Sequence, residues 1–239
     1  MAKLILVRHG ESAWNNANRF TGWVDIPLTE LGIKEAELAA QKLKSTKINH
    51  AFVSHLTRAQ ETLNIILSSQ KLTGLFLHPG EKKKNWYTCE YHSEKTEILT
   101  HVTNLLNERY YGELQGLYKD QTREKYGEKK VLEWRRGYDA RPPGGESLKD
   151  VYKRTIPFFI KRVIPLLKDG KNVIISSHGN TLRAVIKYLD KISAEELPML
   201  DLPPAMPIFY DYSGGRFHRI SKLAFNRPTA WKCSNCKQS

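Results

Sequence analysis

Hydrophobic positions along the 239 residues alternate between two patterns. Short apolar, β-rich runs occur at 3–7, 51–54 and 172–177, and each reads as a strand, the last one buried. Between them, apolar residues recur at three- and four-residue intervals. Over 29–44, Leu31, Ala36, Ala39, Ala40 and Leu43 gather near one face of a helix, with Thr29 and Glu30 offering cap chemistry at its start. Segment 57–67 repeats the pattern with Ala59, Leu63, Ile66 and Leu67, and 181–189 also reads as helical. After the firm loop Arg141-Pro142-Pro143-Gly144-Gly145, a long helix is expected from Glu146-Ser147 to about Leu167. The runs 208–212 and 216–220 flank Ser213-Gly214-Gly215 and predict a hairpin.

Strands alternating with helices predict an α/β fold of three layers, a mainly parallel sheet flanked by helices on both faces. The chain is expected to be one domain over 1–239. Segment 68–104, with Gly74, Pro79, Gly80 and a lysine triplet, shows no clean period and reads as an insertion on the core. Segment 108–137 is rich in charge and tyrosine, with Gly112 and Gly116 as breakers, and about 222–239 forms an atypical tail. In open α/β sheets, ligands bind where strands end and loops lead into helices. His9 and His178 both follow predicted strands, which marks them first as candidates.

Hydrophobic content of 40% and charged content of 26% are ordinary for a globular protein. No apolar run approaches the ~18 residues that would span a bilayer, and the four-residue stretch 4–7 is too short for a secretory leader core. Thirty-eight basic against 25 acidic residues give a net charge of +13, which attracts polyanions and small anionic substrates alike. No zinc-finger, basic-zipper or RNA-recognition signature accompanies it. Lys82-Lys83-Lys84 and Lys129-Lys130 read as solvated surface. The three cysteines, Cys89, Cys233 and Cys236, make no disulfide framework and suit a reducing cytoplasm. Two pairs at three-residue spacing, Cys89 with His92 and Cys233 with Cys236, would suffice for one tetrahedral zinc site. The plainer reading is three free thiols and a surface histidine.

Arg8-His9-Gly10-Glu11 directly follows the first strand. A neutral imidazole can attack phosphorus and hold the phosphoryl group. An adjacent arginine grips phosphate oxygens with planar donors, and Gly10 lets the backbone pass close to an anion. The string extends through Ser12-Ala13-Trp14-Asn15, then Asn18-Arg19-Phe20-Thr21-Gly22-Trp23. Further on come Ser54 with Arg58-Ala59, Leu106-Asn107-Glu108-Arg109, Tyr111-Gly112, Leu114-Gln115-Gly116-Leu117 with Lys119, and Lys125-Tyr126-Gly127. Trp134-Arg135-Arg136 and His178-Gly179-Asn180-Thr181-Leu182-Arg183 follow in order. Over residues 3 to about 210 this series resembles the histidine phosphatase superfamily in its cofactor-dependent phosphoglycerate mutase branch.

That resemblance implies roles for matching positions. His9 would be the phosphorylated nucleophile, with Arg8, Arg58 and His178 binding the phosphoryl group and Glu108 carrying the proton. Ser12, Asn15, Thr21, Gly22, Arg109, Tyr111, Lys119, Arg135, Arg136, Gly179 and Asn180 would line the substrate pocket. It implies interconversion of 3-phosphoglycerate and 2-phosphoglycerate, with 2,3-bisphosphoglycerate as primer and intermediate and no catalytic metal. It also implies a small phosphorylated substrate, a cytoplasmic setting, a homodimer or homotetramer, and neither nucleic acid nor membrane as partner. The alternatives are a broad-specificity phosphatase of the same fold, a bisphosphoglycerate synthase and, outside enzymes, a polyanion-binding protein. The chain departs from the more familiar mutases in a longer stretch between Arg58 and Glu108, a shorter one between Arg136 and His178, an added Glu113 and a different tail. A tail that no longer shields phosphohistidine would favour phosphatase leakage.

Overall fold

The computed structural model describes residues 1–78 and 96–225. In chain order the elements are β1 (Ala2–Arg8), α1 (Ala13–Asn16), α2 (Glu30–Leu43), β2 (His50–Val53), α3 (Thr57–Ser69), β3 (Thr73–Leu77) and β4 (Glu97–Val102). There follow α4 (Lys119–Tyr126), α5 (Glu128–Arg136), α6 (Leu148–Phe158), α7 (Ile164–Lys168), β5 (Val173–Ser177), α8 (Gly179–Asp190), β6 (Ile208–Ser213) and β7 (Arg216–Arg219). Among the described residues seven strands form one sheet, in the order β3-β4-β2-β5-β1-β6-β7. The first five in that order run parallel, and β6 and β7 add an antiparallel edge.

The strand alternation divides the core into two layers. Leu4 and Leu6 of β1, with Phe52, Val173 and Ile175, pack against α6, α7 and α8. Ile5 and Val7, with Ala51, Val53 and Ile174, pack against α2 and α3. Both faces of β1, β2 and β5 are therefore apolar, which is why these strands read as continuous hydrophobic runs. A third, smaller cluster of Phe20, Leu114, Val131 and Trp134 binds α5 to the loops above the strand ends.

Two expectations change. The excursion at 68–104 holds β3 and β4, the parallel strands at one sheet edge. The sequence of β4 buries Ile98, Thr100 and Val102 on one face, but the buried threonine weakens its apolar signal. Residues 79–95 and 226–239, with the suggested zinc ligands Cys89, His92, Cys233 and Cys236, lie outside the described residues. The single helix expected to about Leu167 is broken by a π-turn at Phe159–Val163. Pro165 cannot donate to the carbonyl of Lys161, so the α-helical ladder cannot continue there unchanged. No helix among the described residues is long and apolar enough to cross a membrane.

The loop after β1 lies against the start of α2 with no room for side chains. A Cβ on Gly10 would strike the carbonyl of Gly32, and one on Gly32 would strike the carbonyl of Glu11. Thr29 caps α2 by accepting from the Gly32 amide at 3.0 Å, and it donates to Glu11 Oε1 at 2.9 Å. In an open helix Gly→Ala stabilises. Here Gly32→Ala is expected to destabilise by about 1–3 kcal/mol through overpacking, read as a lower urea midpoint, and to reduce activity because the displaced loop carries His9.

Candidate active site

His9 follows β1 and is anchored to β5 by its amide, which donates to Ser177 O at 3.0 Å. Its Nδ1 lies 2.6 Å from Gly10 O, so Nδ1 carries the hydrogen and donates. That leaves Nε2 unprotonated, and its lone pair accepts from Arg58 Nε at 3.3 Å. Arg58 stands in the first turn of α3 and is fixed by donating to Gly22 O at 2.8 Å and Val24 O at 3.0 Å. His178 follows β5, with its ring centroid 4.9 Å from that of His9. Its Nε2 is 2.7 Å from Ser54 Oγ at the end of β2. Three neighbouring parallel strands thus deliver the two imidazoles and their partners to one point.

Burial dominates the protonation of this cluster. The His9 imidazole is held well below its ordinary 6.5 by burial, then by the charges of Arg58 and Arg8. Burial and Arg58 do the same to His178. Both rings are therefore neutral near pH 7. The cations are strained in the same sense: burial brings Arg58 down to about 10 and Arg183 to about 9. Lys119 falls to about 8 through burial, with Arg135 and Arg8 adding repulsion.

Around His9 a cavity of about 130 Å³ is lined by Arg8, Asn15, Thr21, Gly22, Arg58, Glu108, Tyr111, Lys119, Arg135, Arg136, Gly179 and Asn180. Arg19, Phe20 and Arg183 complete it. In the sequence these three stand within the matching strings, with no role implied for them. Arg183 lies one turn beyond Gly179 on α8, a spacing that would have found it. Seven cationic side chains thus face one carboxylate, Glu108. Arg8 Nε, Arg19 Nε and Thr21 Oγ1 are buried without a hydrogen-bond partner among the described residues. Such donors are costly unless a ligand meets them, and a small multiply charged anion fits that set. Glu108 Oε1 accepts from Arg109 N at 2.8 Å and from Asn180 N in the first turn of α8 at 3.1 Å.

Two predicted positions stand elsewhere, and a third, His178, is set back from the cavity beside His9. Ser12 is buried as the N-cap of α1, in a capping box with Asn15, and does not line the cavity. Arg109 lies behind the wall, donating to Arg135 O at 2.5 Å and to the Tyr111 hydroxyl at 3.3 Å. That leaves Arg109 Nε and Nη1 without a partner among the described residues. His178 is fully buried behind His9. Among the described residues no three His, Cys, Asp or Glu side chains are grouped to hold a metal ion.

The same framework occurs in known proteins. The model of the histidine phosphatase superfamily (branch 1) matches residues 4–79 and 83–222. A 2,3-bisphosphoglycerate-dependent phosphoglycerate mutase of Methanosarcina acetivorans is 48% identical over 235 residues, covering 92% of this chain and 95% of the relative. One from Methanococcus vannielii is 43% identical over 226 residues, covering 93% and 96%. Among solved structures, a mycobacterial glucosyl-3-phosphoglycerate phosphatase in complex with VO3 matches with a TM-score of 0.73 at 24% identity, covering 95% of this chain and 100% of the other. Bacillus stearothermophilus YhfR matches with a TM-score of 0.73 at 22% identity, covering 95% and 98%, and both likenesses are of fold. With a family model spanning nearly all the described residues and relatives this similar over almost their full length, the chain belongs to the histidine phosphatase superfamily, in its 2,3-bisphosphoglycerate-dependent phosphoglycerate mutase family.

Proposed function

We propose that this protein interconverts 3-phosphoglycerate and 2-phosphoglycerate through a phosphohistidine at His9. The observation that carries the reading is a neutral, desolvated imidazole opening into a small pocket with seven cations and one carboxylate. A polymer such as RNA has no room in a cavity of about 130 Å³, whereas a compact bisphosphate suits it. The named activity of relatives at 43–48% identity supports the same substrate class. The donor set fits 2,3-bisphosphoglycerate, which supplies the priming phosphoryl group.

In the phosphorylated enzyme, the P–Nε2 bond of His9 breaks as the free hydroxyl of a monophosphoglycerate attacks phosphorus. Glu108 takes the hydroxyl proton, and the product carries two phosphoryl groups. After it turns over in the pocket, His9 Nε2 attacks the other phosphorus. That P–O bond breaks, and Glu108 returns the proton to the departing oxygen. Arg8, Arg58 and His178 hold the charge on the transferring oxygens, an electrostatic form of catalysis that needs fixed donors. His178 shares a hydrogen with Ser54 Oγ through Nε2, and its Nδ1 has no partner among the described residues, so the tautomer with the proton on Nδ1 would offer a donor to a phosphoryl oxygen. Lys119, Arg135 and Arg136 take the remaining anionic end of the substrate.

The following outcomes test this. Incubation with labelled 2,3-bisphosphoglycerate should place one phosphoryl group on His9, and 3-phosphoglycerate should then yield 2-phosphoglycerate. His9→Ala should lose both steps, and Glu108→Gln should lose about 10²–10⁴-fold in turnover while keeping the fold by circular dichroism. Release of inorganic phosphate as the sole product would make the enzyme a phosphatase instead. Histidine NMR should show His9 still neutral at pH 6.5. Because the charge of Arg58 lowers the His9 pKa, Arg58→Gln should move both that titration and the acid limb of phosphoenzyme formation to higher pH. Lys119→Met should raise the melting temperature of the ligand-free protein at pH 7, because the charged ammonium is disfavoured in the fold. It should weaken substrate binding at least about tenfold, or 1.4 kcal/mol.

A further inference from the structure

Glu108 sits in a stretch without regular secondary structure, between 3-10 turns at Asn104–Leu106 and Gly112–Leu114. Among the described residues no backbone amide donates to the carbonyls of Asn107 and Glu108; side chains hold them instead. Arg154, on α6, donates to Leu105 O at 2.8 Å, Asn107 O at 2.8 Å and Glu108 O at 2.9 Å. The rest of its guanidinium forms a pair with Glu146, Nε to Oε1 at 2.9 Å and Nη2 to Oε2 at 3.2 Å. Glu146 closes the far side: its Oε2 accepts from Tyr110 N at 2.9 Å, and its amide donates to Tyr110 O at 2.8 Å. From above, the Trp23 indole donates to Glu108 O at 2.5 Å, with Arg154 5.9 Å from the indole ring centroid. Neither Arg154 nor Glu146 lines the cavity.

We propose that the Arg154–Glu146 pair, completed by Trp23, is a positioning device: it clamps the main chain on both sides of Glu108 and thereby places the proton-carrying carboxyl, without touching substrate. This rests on the reading of Glu108 as the proton carrier. A planar guanidinium spanning three carbonyls and a carboxylate is a function that lysine cannot take over. The side chains are only 15% and 22% exposed, so the pair is held largely out of water. A displacement of about 1 Å in a reacting group costs on the order of 10²-fold in rate.

The test is a double-mutant cycle with two phosphoryl donors. Arg154→Gln should lower kcat for isomerisation about 100-fold with KM changed less than about threefold, and Arg154→Lys should not restore it. In a Glu108→Gln background the same change should cost less than about threefold more, since its effect runs through Glu108. With p-nitrophenyl phosphate, whose leaving anion needs no proton, labelling of His9 should stay within about threefold of wild type. Equal losses with both donors, or full additivity with Glu108→Gln, would overturn the proposal. Trp23→Phe removes one hydrogen bond from a residue 36% exposed. It should show the same split at several-fold amplitude even if Arg154→Gln does not fold, and absence of that split would also overturn the idea. If wild type labels His9 yet interconverts no phosphoglycerate, the functional reading fails. The contrast between alkyl and aryl phosphates still decides the role of the pair.

Discussion

The structure depends on an unbalanced electrostatic arrangement: a neutral imidazole enclosed by positive charge. Burial first, then the charges of Arg58 and Arg8, keep a proton off His9, so the groups that would bind a phosphoryl oxygen also help keep the proposed nucleophile in its reactive form. The repulsion extends to Lys119 and Arg183, where like charges add to burial in lowering the pKa. The pocket is therefore electrostatically incomplete by itself. An anion entering it relieves repulsion among seven side chains at once, which gives binding and turnover a common origin.

Main-chain carbonyls hold this charge in place. Arg58 is fixed by Gly22 O and Val24 O, Arg8 by Leu202 O at 2.7 Å, and Arg183 by Leu200 O at 3.0 Å. A carboxylate at each of these points would neutralise the arginine and remove its pull on a phosphoryl group. A carbonyl satisfies the donor and leaves the net charge intact. This explains why the loops around 20–24 and 200–202 run so close to the strand ends. At Gly10 and Gly32 loop and helix likewise meet backbone to backbone.

Much of this was legible in the sequence, and the rest was hidden for identifiable reasons. The central strands announce themselves because both faces are buried, so Leu4 to Val7 need no alternation to be recognised. The edge strand β3 is mostly half-buried and carries Gly74, and β4 interrupts its buried face with Thr100, so neither shows a clean run. His9 and His178 are visible from their places after strands. Arg19 is harder to find because a positive residue in a basic chain carries no signal until its neighbours in space are known, whereas Arg183 is signalled by its place one turn beyond Gly179. Ser12 misleads in the opposite direction, since a hydroxyl inside a binding motif serves equally well as a helix cap.

Glu108 shows how the remaining constraint is met. In the proposed reaction Glu108 accepts and returns a proton, and a group in that role must keep an oxygen free of fixed partners. Among the described residues nothing donates to Glu108 Oε2, while Oε1 is held by two backbone amides. An arginine paired with the carboxylate would have anchored it more firmly but would have held on to its charged form. The anchoring is displaced by one step, onto the carbonyl of the same residue, where Arg154 and Trp23 converge. Rigidity is thus supplied through the backbone and chemical freedom is kept at the carboxyl. The same division applies at His9, where Nδ1 is tied to Gly10 O so that Nε2 faces Arg58 with its lone pair intact.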